Sequence, residues 1–290
     1  MAVIDRAAHN EWIVQYFDLN YPALRWMWTN NKSLALHFGY WDESTHTDYE
    51  AQLNTNRQLA QRAGLQSGQH ILDAGCGIGG SAVWLAETYD VQVLGITLSQ
   101  EQVRHATENA KKRGVSALAR FDQQDFTDIK AEDASFDIVW ALESASCALD
   151  KREFLSEVFR VLRPGGRLVL SDGFRRARAY EQDEEDLLKR FLFGWAIPDL
   201  VTPDEFTAAM KVAGFENIQF ENVTEHAEPS MRRLYKISLW SAPIARFLGK
   251  LKLMSPITVQ CAEASYDQYQ AFRRGLCLYG FVSASKPVDR

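Results

Sequence analysis

The stretch ILDAGCGIGGSAVWLAE, residues 71–87, decides how this chain folds. An apolar run ends in Asp73 and Ala74. Glycines follow at Gly75, Gly77, Gly79 and Gly80, and a helix-compatible segment resumes at once. A buried strand that turns through glycines into a helix is a nucleotide cradle. Glycine lets the backbone approach a ligand, and the helix N-terminus presents unpaired N–H groups. Gly75, Gly77 and Gly80 fall on the dinucleotide spacing G-x-G-x-x-G. Glycine spacing alone does not choose among nicotinamide, flavin, phosphate and other nucleotides.

Outward from that loop, strand-like and helix-like segments alternate. VQVLGITL (Val91 to Leu98) predicts a second strand, and SQEQVRHATENAKKRG predicts a helix opened by Ser99 and closed by Gly114. ARFDQQDF predicts a third strand ending at Asp125, and FDIVWALES (Phe136 to Ser144) a fourth. DKREFLSEVFRVLRPGG is a helix broken by its P-G-G turn, and RLVLSDGF (Arg167 to Phe174) is a fifth strand. Such alternation predicts an α/β fold whose mostly parallel sheet carries helices on both faces and binds ligand at the strands' carboxyl ends.

Beyond Phe174 the pattern changes. AYEQDEEDLLKRFLFGW and TPDEFTAAMKVAGF predict helices, ENIQFENVT a sixth strand, and a helical insertion runs from Pro229 to about Arg274 before the last strand, LCLYGFVSASKP. The expected organisation is a helical cap segment over 1–64, a nucleotide-binding core over 65–224, a helical cap or lid over 225–274, and a last, antiparallel core strand with its tail over 275–290.

Composition narrows the function. A net charge of -6 argues against a nucleic-acid partner, whose phosphates need a basic face. No apolar run approaches the roughly 20 residues that span a bilayer, and the N-terminus MAVIDRAAHNEWIV carries acids and polar groups where a signal peptide has its apolar centre. The cysteines Cys76, Cys147, Cys261 and Cys277 form no C-x-x-C pair, which predicts a reduced, cytoplasmic setting with neither disulfide framework nor zinc. No acidic or histidine cluster has metal-ligand spacing, so no metal is expected, and a homo-oligomer is left open.

The second strand ends with Thr97 where a dinucleotide site wants an acid. D-A-G-C-G after an apolar strand, D-F after the third strand and R-V-L-R-P-G-G before the fifth together resemble class I methyltransferases that use S-adenosylmethionine (SAM). G-I-T-L-S-Q-E-Q (Gly95 to Gln102) is similar to the branch containing tocopherol and sterol methyltransferases and the cyclopropane fatty-acid and mycolic-acid synthases. L-H-F-G-Y-W-D and F-D-I-V-W-A-L-E-S also resemble sugar and natural-product O-methyltransferases. The resemblance implies a Rossmann-like core that binds SAM, with Thr97 and Gln102 taking over the ribose.

Physical roles follow for the other residues. Gly75 and Gly77, with Cys76 between them, let the backbone approach the methionine part of SAM. Asp73 is placed for the amino end, and the following helix N-terminus for the carboxylate. Asp125 suits the adenine amino group, Leu98 and Phe126 pack on the ring, and Leu142 at the end of the fourth strand completes the set.

The expected acceptor is a hydrophobic small molecule. Related O-methyltransferases carry E-S-x-H-H after the fourth strand, with histidine as base, whereas this chain has E-S-A-S-C, with Ser146 and Cys147 in the histidine positions. That departure favours carbon methylation of a terpenoid, prenyl or aromatic acceptor, with Glu143 supplying charge and base. His37 and Tyr40 join Glu143 as catalytic candidates, and Trp41, Trp140 and Trp195 are expected near it. O- or N-methylation of a natural product is the alternative, and a non-catalytic SAM- or lipid-binding protein a third. Residues 229–253 place apolar residues at helical spacing among Arg232, Arg233, Lys236, Arg246, Lys250 and Lys252. That pattern suits peripheral contact with a membrane surface, a lipid-like acceptor or a diphosphate.

Overall fold

A computed structural model describes residues 5–28 and 32–288. Seven strands form one sheet in the order β3-β2-β1-β4-β5-β7-β6. They are β1 (His70–Ala74), β2 (Gln92–Thr97), β3 (Ala119–Gln123), β4 (Phe136–Leu142), β5 (Leu162–Arg175), β6 (Glu216–Asn222) and β7 (Cys277–Ser285). Strands β1 to β5 pair in parallel, and β7 runs antiparallel to both of its neighbours, β5 and β6. This is a Rossmann-like sheet, mostly parallel with its last strand antiparallel, as the resemblance implies. β1 is buried along almost its whole length, as a parallel strand covered on both faces must be.

Helices α3 (Gly80–Tyr89), α4 (Gln100–Lys112) and α5 (Lys151–Val161) make the crossovers, with α6 (Gln182–Gly194) and α7 (Pro203–Ala213) following β5. Ser99 caps α4, its hydroxyl accepting from Gln102 N, and Thr202 and Glu205 form a reciprocal capping box on α7. The outer helices are α1 (Arg6–Trp28), α2 (Asp48–Ala63), α8 (Thr224–Lys250) and α9 (Pro256–Arg273). The predicted late helix opens at Thr224, five residues ahead of the expected Pro229, so Pro229 and Pro243 lie inside α8. β3 ends at Gln123, two residues before Asp125, which therefore sits in the loop.

At Gly75 the protein's own packing adds a requirement for glycine. Its φ is +88°, and a Cβ there would meet the Ser144 Cβ at 2.3 Å, so the chain's own packing excludes a side chain before any ligand arrives. At Gly77, φ is +52° and a Cβ would meet only Leu36 Cδ1, at 3.7 Å. The loop is thus held by contact with the end of β4, while at its second glycine a Cβ would make only ordinary contact with Leu36.

Candidate functional site

Two cavities open at the carboxyl ends of the central strands. The first is lined by all the residues selected for the cofactor: Asp73, Gly75, Cys76 and Gly77 after β1, Thr97, Leu98 and Gln102 around β2, Asp125 and Phe126 after β3, and Leu142 at the end of β4. His37 and Glu143 line it too, and Arg6, Asn10 and Ile13 of α1 cover it. The second cavity is walled by Leu24 and Trp28 of α1, Phe38, and Phe191, Trp195 and Phe272 from the later helices, with Asp172, Ser146, Gln268 and Tyr279 as its polar groups. Phe17, Leu36, Glu143 and Cys147 line both and so stand between them.

In the first cavity the carboxyl of Asp73 is buried, and its Oδ2 has no hydrogen-bond partner among the described residues. Burial pushes its pKa up to about 7, against a small opposing pull from the Ala82 N–H at the start of α3. A buried carboxylate oxygen left unsatisfied is costly unless a cation or donor arrives to meet it. The amino group of SAM fits that vacancy in chemistry. Thr97 Oγ1 donates to Gln102 Oε1 at 2.5 Å, which fixes both side chains at the strand end. Asp125 is already engaged: Oδ2 accepts from Asn10 Nδ2 at 2.7 Å, and Oδ1 accepts from the N–H and hydroxyl of Thr127.

Glu143 sits immediately after β4 with φ +52°, a left-handed conformation that a non-glycine residue adopts at a cost. Its Oε1 accepts from Phe38 N at 2.7 Å and from Tyr279 Oη at 2.5 Å. Burial pushes its pKa up to about 8, while Tyr279 and the Phe38 amide pull it down and Asp172 adds to the rise. Asp172, within β5 three residues before its end, is also raised by burial, and its carboxylate accepts from Ser146 N and Gly173 N.

His37 Nδ1 donates to the Phe38 carbonyl at 2.9 Å, which leaves Nε2 as a lone pair without a partner among the described residues. Burial lowers its pKa to about 4, so the ring is neutral at physiological pH. The Cys147 thiol, pushed up to about 12 chiefly by burial, carries no nucleophile.

The aromatic expectations divide. Trp195 lines the second cavity. Trp140 is wholly buried in β4 and lines neither. Tyr40, taken as a catalytic candidate, lies outside both cavities: its ring stacks on His226 at 4.1 Å and on Phe281 at 5.6 Å. The cause is Gly39, whose backbone packs on Ala51 while Tyr40 N donates to Ala51 O, so the chain follows α2 away from the cavities. Trp41 goes with it, its indole N–H donating to Ser230.

Asn10 and Phe17 of α1, Asp172 and Tyr279 were not selected from the sequence. Asp172 carried a readable signal, a carboxylate near the end of the fifth strand in L-S-D-G. Tyr279 carried none, since nothing local marks which turn of a late strand meets the end of β4.

This sheet, its glycine loop and the paired cavities define a class I SAM-dependent methyltransferase. The chain belongs to the mycolic acid cyclopropane synthetase family, which it matches over residues 7–242. It is similar to 27-O-demethylrifamycin SV methyltransferase of Amycolatopsis mediterranei, with 33% identity over 273 residues, covering 93% of this chain and 95% of that one. Among solved structures it is similar to the cyclase SpnF, with a TM-score of 0.79, 26% identity and 95% of each chain covered. A geranyl diphosphate methyltransferase solved with its substrate and sinefungin shares the fold, with a TM-score of 0.75 and 19% identity over 96% of this chain and 99% of that one.

Proposed function

We infer that the first cavity holds SAM, that the second holds a hydrophobic acceptor, and that Glu143 takes the acceptor's proton as the methyl group transfers to oxygen. The observation that carries this reading is that Glu143 lines both cavities. In the first cavity Asp73 meets the amino group, the first amides of α3 the carboxylate, Thr97 and Gln102 the ribose, and Asp125 the adenine amino group, with Leu98 and Phe126 against the ring. SAM supplies an electrophilic methyl on a sulfonium. The chain aligns the acceptor with it, excludes water and receives the proton. The acceptor's proton passes to Glu143 as its oxygen would bond the methyl carbon and the sulfur–methyl bond would break, the electron pair staying on the sulfur of the departing S-adenosylhomocysteine (SAH).

A carboxyl raised to about 8 is matched to this task, because a stronger base is a better proton acceptor near neutral pH. A cationic methyl donor bound beside Glu143 would lower that pKa and favour the carboxylate form that accepts the proton. The rifamycin relative, an O-methyltransferase by name, supports oxygen as the receiving atom. His37 closes the cofactor cavity as a neutral ring, and no catalytic part is proposed for Tyr40. A diphosphate acceptor is disfavoured, since the second cavity presents Glu143 and Asp172 and no Arg or Lys among the described residues.

A second reading, carbon methylation of an alkene or electron-rich ring, is favoured by the same cavity's aromatic faces. Trp28, Trp195, Phe38 and Tyr279 beside two carboxyls would stabilise a cationic intermediate. The test is SAH release from a panel of hydroxylated polyketides, prenylated phenols and terpenoids, with product NMR to locate the methyl. Glu143→Gln should cut turnover by about 10²–10⁴-fold while SAH affinity, by calorimetry, stays near wild type. A glutamine variant of undiminished activity removes Glu143 as base, and a methyl found on carbon replaces the first reading by the second.

A further inference from the structure

The second half of α8 carries apolar residues on both sides. Its inner face packs Leu234, Ser238, Ala242 and Ala245 into the protein. Its outer face shows Trp240, Ile244, Phe247 and Leu251, each more than half exposed. Their spacing of four, three and four residues sets them in one stripe along the helix. Leu253 extends the stripe into the following turn, and the exposed Trp26 of α1 joins it, edge-on to Trp240 at 5.7 Å. Scattered apolar residues on a surface need no account, but a continuous stripe in water does.

Cations flank this stripe. Arg232, Arg233, Lys236, Arg246, Lys250 and Lys252 are all exposed. Three of them meet acids: Arg232 pairs with Glu228 at 3.5 Å, Arg233 with Asp48 at 2.6 Å, and Arg246 with Glu263. Lys236, Lys250 and Lys252 have no acidic partner among the described residues. A shallow groove beside the stripe is lined by Pro229, Arg232, Arg233, Lys236, Ile237 and Trp240. The positive patch stands out on a chain of net charge -6.

We propose that this face docks on an anionic lipid surface, with Trp240, Ile244, Phe247 and Leu251 entering the interface and the lysines meeting lipid phosphates. Helices with an apolar stripe and cations at its edges lie in the plane of a membrane. No helix among the described residues is long and apolar enough to cross one, so the contact is peripheral. The charge argues against a second copy of this chain as the occupant, because a two-fold contact would set like charges against each other. Ile244, Phe247, Leu251 and Leu253 lie beyond the family match, which ends at residue 242, whereas Trp26 and Trp240 lie within it. The proposal also gives the acceptor an approach: α1 carries Trp26 on the docking face and lines the second cavity with Leu24 and Trp28.

Co-sedimentation of the full chain with vesicles tests this. Phosphatidylcholine vesicles containing phosphatidylglycerol should retain the protein, less so at high salt, while pure phosphatidylcholine vesicles should not. Phe247→Ser with Leu251→Ser should weaken retention by about tenfold or more, and Lys250→Glu with Lys252→Glu by about tenfold. Both double variants should keep wild-type thermal unfolding and SAH affinity, which separates lost docking from lost folding. The proposal is overturned if no vesicle retains the protein, if neutral and anionic vesicles retain it equally, or if sedimentation velocity shows a dimer that Phe247→Ser dissolves.

Discussion

The hydroxyl of Tyr279 donates to Oε1 of Glu143 at 2.5 Å, so the antiparallel strand β7 reaches the carboxyl that ends β4. The bond favours the ionised carboxylate and opposes the burial that raises it. Tyr279→Phe removes the donor and should move the acid limb of kcat/KM upward by about one to two pH units, since a hydrogen bond to a charged group is worth about 1.5–3 kcal/mol. SAH affinity should change little. An acid limb that stays in place would mean that another group limits the rate.

Raised carboxyls also set the pH dependence of stability. Asp73 is raised to about 7 and Glu143 to about 8, so each binds its proton more tightly folded than unfolded. Their stabilising contribution is complete below the usual carboxylate range and is lost as pH rises through about 7 and about 8. The melting temperature of the free protein should therefore fall between mildly acidic and mildly alkaline pH. Asp73→Asn and Glu143→Gln, which cannot ionise, should each flatten that fall, as scanning calorimetry at both ends would show.

Asp73→Asn has a second, separable consequence. The unpartnered Oδ2 is the feature that asks for a cationic ligand, and its loss should weaken SAH binding by about ten- to a hundredfold, the range of one charge-assisted hydrogen bond. Calorimetry would register this with folding intact. Undiminished affinity would assign Asp73 to the architecture of the loop alone.

Much of this was legible in the residues. The Gly75–Gly80 loop, the Ser99 cap and the strand–helix alternation are local signals, set by backbone sterics and burial period, and the residues they pointed to line the first cavity, whereas Arg6, Asn10, Ile13 and Phe17 of α1, which cover it, left no such signal. The acceptor side was less legible because its residues meet over long sequence distances. Glu143 is joined to Phe38, on a segment between two outer helices, and to Tyr279 on the last strand. Tyr40 shows the converse: a ring close in sequence to His37 is carried off by one glycine packed on α2. The spacing of α8 residues was readable, but which of its two apolar sides faces water was decided by packing.

The glycine loop gives a prediction about packing in which two neighbouring glycines part company. Gly75→Ala sets a Cβ at 2.3 Å from that of Ser144 and holds alanine at φ +88°, so both overpacking and backbone strain act against it. Together they should cost about 3 kcal/mol or more. Gly77→Ala meets no close atom and should cost about 1 kcal/mol through its φ of +52°. Adding Ser144→Gly should recover part of the loss in Gly75→Ala and none in Gly77→Ala, by urea unfolding. Equal costs at the two positions would show that the contact with Ser144 is relieved by movement of the loop.

The helix α1 lies over the cofactor cavity and is tied to its rim by side-chain contacts that include Arg6 to Glu153, His9 to the Cys147 carbonyl, Asn10 to Asp125 and Asp18 to Ser99. The Arg6–Glu153 pair is 45% exposed on both sides, and an exposed pair contributes about 0–1 kcal/mol. Asn10 donates to a half-buried carboxylate at 2.7 Å, a contact worth about 1.5–3 kcal/mol. If α1 must lift for the nucleotide to leave, Asn10→Ala should speed SAH release by about tenfold or more, and Arg6→Ala by about threefold at most. Stopped-flow displacement of SAH measures both. Equal acceleration by the two variants would shift the fastening of α1 to its N-terminal turn, and no acceleration by either would leave His9 and Asp18 as the contacts that hold α1 down.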